Sequence, residues 1–524
     1  VANVIDRVAA AVSPGWAARR ARARLIARRY EEATRHYEAA AVGRRTSGWN
    51  KSAADADSAS APSLWVLRAL ARDLVRNNPW ARRAVRRIAG NAVGWGIAPK
   101  PAPGAPAEVG EAWRRWAGTT DCDADGRLTF YGIQRQVMET VAESGEVLVR
   151  RRFRRPEDGL AVPLQLQVLE PDHIDASRDG FAGVQGGPTI RGVEHDAIGR
   201  RVAYWLFSSH PGSSRLASPS SARVSADLVA HVFRQERPGQ VRGVSWFAPA
   251  IIRLRDFDEY EDATLMKQKV QACFAAFVTD VDGLGAPLAQ GEDATATEAP
   301  LDRLQPGLVS YLPPGKTVTF ANPTGTGEFA SFSVGALRAI AVSLGCTYEE
   351  LTGDYSQFNY AAGRSARLAQ RQDVLDWQWN MLVPLLCAPV WSWFLAALAS
   401  SGASVGDQDA PATWTPPAAP MVDPEKEGNA LSRLVRTGAM THDEMVREQG
   451  YDPEEHWAEY AAGLGRLDAL GITLDSDARR TTQGGIGQQQ AKPAPDGPAQ
   501  GGNGHAPPED DEGDDEGDDQ EVVQ

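Results

Sequence analysis

The stretch DCDADGRLTFYG (121–132) sets Asp121, Asp123 and Asp125 at the first, third and fifth places of a calcium loop, with Gly126 at its turn. The twelfth place, where a bidentate Glu completes such a site, is Gly132, and no paired loop occurs elsewhere. The stretch therefore reads as an Asp/Gly turn capping the next helix. PPGKTVTF (313–320) holds the Gly-Lys-Thr of a phosphate loop, but the leading Gly of that motif is replaced by Ser310. The residues after the lysine alternate like a strand, where a helix N-terminus is needed to hold phosphate. The glycine pair in TGTGEF (324–329) is too short to specify anything. Eight histidines show neither HxH nor HExxH spacing, and no GxSxG elbow occurs. Cys122, Cys273, Cys346 and Cys387 lie far apart without a CxxC pair. That spacing argues against a zinc site and a secreted disulfide scaffold, and points to a reducing cytoplasm. The expectation is a protein that is not an enzyme and needs no metal or cofactor.

The remaining chemistry is that of contact. GDYSQFNYAAGRSARL (353–368) breaks between two helical stretches to set Tyr355, Phe358 and Tyr360 beside Gln357 and Asn359, with Arg364 and Arg367 on a new helix. Such a segment could bind a strand, hold a substrate or simply cap a helix. The plainer alternative is that the three aromatics pack between subunits while Gly363 and Arg364 start the helix.

The elements around it set its context. Ten of the carboxylates behind the net charge of −13 lie between Glu509 and Glu521, leaving the body near −3. That body has no charge excess to grip nucleic acid. RRARARLIARRY (19–30) carries six arginines and no acid, and reads as a solvated helix packing on a neighbour, or as a basic arm for DNA or an acidic partner. The short apolar VAAAV (8–12) precedes those arginines, the reverse of a secretory leader. Leu64, Leu67, Leu70 and Leu74 predict one helical stripe, Asn78-Pro79 a break, and Val85, Ile88 and Val93 a second helix. FYGIQRQVMETVAESGEVLVRRRF (130–153) predicts helix, a turn at Gly145, then strand. LQLQVLEPDHID, GVEHDAIGRRVAYWLF and LVAHVFR alternate as strands. From Pro249 the spacing of Ile251, Leu254, Phe257, Tyr260, Met266, Val270, Phe274 and Phe277 predicts one helix of about 45 Å. It carries Asp256, Asp258, Glu259, Glu261 and Asp262. Residues 377–406 hold no charge, and MLVPLLCAPVWSWFLAAL is long enough to span a bilayer. Pro384 and Pro389 interrupt it and no positive flank succeeds it, so burial in a protein assembly is expected. From about 477 the composition is that of disorder.

Several blocks together carry a signature. WRRWAGTTDCDADGRLTFYGIQRQVMETVAESGEVLVRR (113–151) is followed by LQVLEPDHID (166–175), GVEHDAIGRRVAYWLF (192–207) and VAHVFRQERPGQVRGVSWFAPAI (229–251). LRAIAVSLGCTYEELTGDYSQFNYAAGRSARL (337–368) and PMVDPEKEGNALSRLVRTGAMTHDEMVREQGYDPEEHW (420–457) complete the series. In this order the chain resembles, over about 60–470, the portal proteins of lambda-type tailed bacteriophages. Ala361-Ala362 depart from the serines common in relatives, and the acidic tail lies outside the pattern.

The resemblance implies an α+β, predominantly helical chain of wing, stem, clip and crown, assembled as a ring, typically a homododecamer. It implies an arm and linker at 1–60, wing at 61–248, stem helix at 249–279, clip at 280–328 and returning stem element at 329–352. It further implies a tunnel loop at 353–363, a long wing helix at 364–400, a crown at 401–476 and an acidic tail at 477–524. The implied partners are double-stranded DNA read without sequence specificity, the terminase large subunit, major capsid and scaffold proteins, and head–tail joining proteins. The implied place is the portal vertex of the virion, after assembly in the host bacterial cytoplasm, with no membrane partner. Tyr355, Gln357, Phe358, Asn359 and Tyr360, flanked by Arg364 and Arg367, then become the expected DNA contacts. Asp258, Glu261, Lys267 and Lys269 become the expected channel lining of the stem. The competing reading is a membrane-associated or interfacial scaffold using 377–400. A nucleic-acid-processing enzyme is a further alternative, but the dense carboxylates here form a helix face and a tail, with no folded cleft to cluster them around a metal.

Overall fold

The computed structural model describes residues 53–102, 104–214, 220–272, 276–280, 316–320, 329–356, 360–418 and 421–474 apart from 422, with a few isolated positions outside these ranges. The chain divides into two units, 1–452 and 453–524.

Helices α1 (Ala56–Ser60), α2 (Leu64–Asn77) and α3 (Pro79–Val93) open the first unit. Asn78 ends α2 in an extended conformation and caps α3, its Oδ1 accepting from Ala81 N at 2.9 Å, with Pro79 in the first turn. The α2 face differs from the expected leucine stripe. Leu70 is 44% exposed while Arg68 and Ala71 are buried, because Arg68 has a buried partner on a later strand. Strand β1 (Ala98–Lys100) and α4 (Ala107–Gly118) come next. Asp123 Oδ2 then accepts from the backbone N of Arg127 at 3.0 Å and Leu128 at 2.9 Å, and Oδ1 from Asp125 N at 3.1 Å. The stretch that imitates a calcium loop is thus a turn clamped by one carboxylate.

Helix α5 (Phe130–Ser144) buries Ile133, Val137, Met138 and Val141, and ends at Gly145 with φ +90°. A Cβ on Gly145 would lie 2.3 Å from the carbonyl carbon of Val244, so only glycine allows this crossing. Strand β2 (Glu146–Phe153) starts at the next residue and pairs antiparallel with both β3 (Leu164–Leu169) and the later β8 (Val229–Phe233). A second antiparallel sheet takes β4 (Gly186–Ile190), β5 (Val193–Asp196), β6 (Arg201–Phe207) and β7 (Ser221–Ser225) in sequential order.

Helix α6 (Ile251–Ala272) leaves this body with Ile251, Leu254 and Phe257 buried. It is shorter than the expected helix, because Phe277 lies in β9 (Ala276–Asp280), paired antiparallel with β10 (Lys316–Phe320). The aromatic spacing continued the helical period, but Val278 and Thr279 face Val318 and Thr317, a β-branched pairing suited to a ladder. Helix α7 (Phe329–Leu344) returns beside α6, with Tyr260 5.8 Å from Phe329 and 4.3 Å from Phe332 between ring centroids. After the short α8 (Tyr348–Thr352), one continuous helical rod runs from Tyr360 to Ser400: α9 (Tyr360–Asp376), a π-wound segment (Trp377–Cys387) and α10 (Ala388–Ser400). Pro384 sits inside the π-wound part, where wider turns accommodate a residue with no N–H to donate.

This rod corrects one expectation. Trp377, Trp391 and Trp393 fill the chain's own core instead of a contact between copies, whereas Trp379 is 45% exposed. Trp391 and Phe394 lie 5.2 and 5.0 Å from Trp113 of α4, and Phe130 of α5 closes the group at 5.3 Å from Trp113. Three buried indoles reach backbone acceptors: Trp116 on Leu164 O at 3.0 Å, Trp391 on Ala410 O at 3.1 Å, Trp393 on Asp227 O at 2.9 Å. Residues Gly363–Ser400 are, among the described residues, the one helix long and apolar enough to cross a membrane, yet 67% of that apolar window is buried inside the protein.

Strand β11 (Thr413–Thr415) pairs back on β1, so part of the expected crown belongs to the main body. Helices α11 (Pro424–Arg436) and α12 (His442–Glu448) complete the first unit. In the second, α13 (Pro453–Ala469) turns at Gly471 so that Ile472 and Leu474 line a hollow with Tyr460, Leu464 and Leu467.

One buried charge cluster locks the body. Glu146 is fully buried and receives Arg242 Nη2 at 2.6 Å, Gly243 N at 2.7 Å, His231 Nε2 at 2.9 Å, and Arg68 Nη2. Burial opposes its charge, but Arg242 and Arg68, with His231, outweigh burial and hold its carboxyl well below the usual range. Burial pushes His231 down to about 4, so its ring is neutral and donates from Nε2.

Glu146→Gln leaves two buried guanidinium groups short of their counter-charge and lowers stability by about 3–5 kcal/mol, read as a lower urea midpoint; an unchanged midpoint contradicts the cluster. For His231 the folded pKa lies below the ordinary 6.5, so the unfolded chain takes the extra proton. Its contribution is complete above 6.5 and is lost as pH falls toward about 4. His231→Gln, which keeps a donor and cannot titrate, should show a shallower loss of stability over that window than the wild type; parallel pH profiles contradict the assignment.

Candidate nucleic-acid interface

The aromatic loop starts from a small, heavily braced helix. Thr347 caps α8 by accepting from Glu350 N at 3.2 Å, and α8 ends at Gly353 in the left-handed region with φ +74°. A Cβ there would lie 2.8 Å from Arg83 Nη2 of α3. Arg83 Nε in turn donates to Glu350 O at 2.8 Å. The Glu350 side chain is held from two sides: Asn91 Nδ2 of α3 donates to Oε1 at 2.9 Å, and Gln370 Nε2 of α9 donates to Oε2. One carboxylate therefore ties α3, α8 and α9 together beneath the loop.

Above that brace the backbone turns on Asp354. Its Oδ1 accepts from Ser356 N at 3.0 Å, its Oδ2 accepts from Tyr348 Oη at 3.2 Å, and Asp354 N donates to Thr352 Oγ1 at 3.1 Å. The Ser356 bonds first, and then that from Tyr348, hold the Asp354 carboxyl below its ordinary value. Arg338 of α7 lies over the Tyr348 ring at 5.5 Å. Tyr355 emerges from this turn 53% exposed. Gln357, Phe358 and Asn359 lie outside the described residues, and Tyr360 is the first residue of α9. Arg364 and Arg367 are exposed on α9, and Arg371 joins them one turn further on.

The expected stem residues fall into two groups. Asn78 Nδ2 donates to both oxygens of Asp258, at 2.8 and 2.9 Å. Glu261 is half-buried, and burial, with Asp258 nearby, pushes its carboxyl up. Those two acids are half-buried against the body, Asp258 serving as acceptor for the cap residue between α2 and α3. Lys267 and Lys269 are exposed.

Another convergence is Glu170, Asp172 and His210, whose ligand atoms all lie within 4.8 Å of one another. Arg72 Nη2 already sits 2.9 Å from Glu170 and 2.5 Å from Asp172. A guanidinium thus supplies the positive charge a metal would bring.

Sequence reasoning passed over Glu350. The signal was present: Thr347 with Glu350 three residues later is a capping-box spacing, although the carboxylate here reaches α3 and α9 instead of its own cap.

The chain has relatives among known proteins. Residues 42–378 match the family model described as phage portal protein, lambda family. The probable portal protein of Halomonas phage phiHAP-1 is 26% identical over 481 residues, covering 85% of this chain and 89% of that protein. Portal protein B of Escherichia phage lambda is 24% identical over 520 residues, covering 87% and 94%. The portal protein of Escherichia phage N15 is also 24% identical, over 518 residues, with the same coverage. Among solved structures, the neck of an empty gene transfer agent particle computed with C6 symmetry aligns at a TM-score of 0.44 and 17% identity, over 74% of this chain and 93% of that one. The neck of the native particle computed with C12 symmetry aligns at 0.43 and 17%, over 75% and 100%. The chain belongs to the lambda family of phage portal proteins, structural components of the bacteriophage head–tail connector.

Glu350→Ala removes the brace without touching the loop itself. Amide hydrogen exchange across 348–356 should accelerate by at least about tenfold, the equivalent of one net hydrogen bond to a charged group, while β2 and β8 keep their protection. Unchanged exchange in α8 contradicts the brace.

Proposed function

We propose that copies of this chain close into a ring, twelve in number, whose central opening passes double-stranded DNA into and out of the capsid. Family membership supports the class. The observation that carries the residue-level reading is the braced turn at 353–356, which presents Tyr355 from a fixed base ahead of an arginine-bearing helix. A passage that lets a duplex slide cannot hold it tightly, because every lysine or arginine on a phosphate releases counterions and steepens affinity. Aromatic and neutral polar groups give contact without arrest. In this reading Tyr355, Gln357, Phe358, Asn359 and Tyr360 touch the duplex without reading its sequence, and Arg364 and Arg367 flank them. Lys267 and Lys269 are the exposed stem cations near the path. The same ring docks the terminase large subunit during filling, meets capsid and scaffold proteins at the vertex, and later receives the head–tail joining proteins.

The membrane-scaffold reading loses its motivation once the apolar rod is accounted for. Its Trp391 and Phe394 are consumed by the chain's own α4 and α5.

The paired substitution Tyr355→Ala, Phe358→Ala tests the loop. Rings should form as in the wild type, while packaged DNA per particle, or DNA retained after filling, falls several-fold. Normal packaging and retention by the variant would remove the loop from the function.

A further inference from the structure

Among the described residues of the first unit, two exposed helix faces carry opposite net charge. On α9, Arg364, Arg367, Arg371 and Leu375, continued by Trp379 in the π-wound segment, recur at spacings of three, four, four and four. Such spacing places them along one helical face. All five are exposed, Trp379 at 45%, and the three arginines make no ion pair among the described residues. On α6, Ile252, Asp256, Glu259, Asp262 and Met266 recur at four, three, three and four. Ile252 is 71% exposed and Met266 60%, while Asp256 and Asp262 also make no ion pair among the described residues. Glu259 is held by Arg255 of its own helix at 2.9 Å, a well-solvated pair.

The α9 face thus carries three arginines and the α6 face three carboxylates with Arg255 among them, each with large apolar side chains at its margin. The charged run covers about 10 Å on either helix at 1.5 Å per residue, so the two match in length. Large exposed apolar groups next to unpaired charges mark an interface more readily than a solvated surface. The two faces belong to different elements of one chain, and a contact between unlike faces of identical subunits generates a ring when its rotation closes and a filament when it does not.

We infer that the arginine face of α9 in one subunit docks on the acidic face of α6 in the next, with Leu375 and Trp379 covered against the apolar margin of that face. This pairing rests on the ring reading and names the residues that close it. It also has a consequence for the channel. Arginines engaged by a neighbour's carboxylates are withdrawn from the DNA phosphates, which leaves the neutral loop as the contact.

Charge reversal on one face at a time tests it, using the full-length chain and mass measurement of the assembled species. Arg367→Glu with Arg371→Glu sets acid against acid, and Asp256→Arg with Asp262→Arg sets base against base. Each double variant alone should lose ring assembly by at least about tenfold, since like charges placed across an interface suppress the pairing. An equimolar mixture of the two should recover rings in which the variants alternate, which also shows that both are folded. Rings formed by either variant alone at wild-type yield, or no recovery on mixing, would overturn the pairing. Failure of the wild type itself to assemble would instead remove the ring reading, and this pairing with it.

Discussion

One buried carboxylate joins α2, β2, β8 and the segment leading to α6. Glu146 lies at the first residue of β2, immediately after the Gly145 turn, and gathers Arg68 from α2, His231 from β8, and Arg242 with Gly243 from the segment leading to α6. Arg242 extends the cluster, donating to Arg191 O at 3.0 Å and Pro171 O at 3.3 Å. A buried ion pair contributes little net stability compared with well-packed apolar groups, because both charges must leave water. Its strength is geometrical: each partner has one place where it is satisfied, and every misplacement leaves a buried charge alone. The angle at which α6 leaves the body is therefore set by a charge requirement as well as by the packing of Ile251, Leu254 and Phe257.

Glu350 repeats the device at smaller scale and nearer the surface. Its carboxylate joins α3 to α9 across α8, and the loop beginning at Gly353 takes its position from that junction. The aromatic core of Trp113, Trp116, Phe130, Trp391 and Phe394 fixes the long rod against α4 and α5.

The parts legible from sequence are those governed by local rules. Residues 130–153 read correctly as helix, glycine turn and strand because the helical apolar period stops at Gly145, and β3, β5, β6 and β8 also fall in segments read as strands, although all five residues of β8 are buried. The Asp123 turn was readable because the twelfth calcium position is Gly132. The features that escaped depend on partners far along the chain. Leu70 looked like core, yet it is exposed while Arg68 is buried against a carboxylate 78 residues away. Asp258 looked like a free stem charge, yet Asn78, the cap between α2 and α3, donates to it. The end of α6 was hidden because Phe274 and Phe277 continue a helical spacing that the pairing of β9 with β10 overrides. Of the expected loop contacts, Tyr355 is exposed, whereas Gln357, Phe358 and Asn359 lie outside the described residues.

The proposed role stands or falls on whether identical subunits surround an opening wide enough for a double helix. Single-particle imaging of the purified full-length chain, under conditions that favour assembly, tests this directly. Annular particles with rotational symmetry are expected, with a central hole of at least about 20 Å, the width of a duplex whose grooves admit secondary structure elements. A uniform population of compact monomers, or closed particles with no through-going hole, would contradict it.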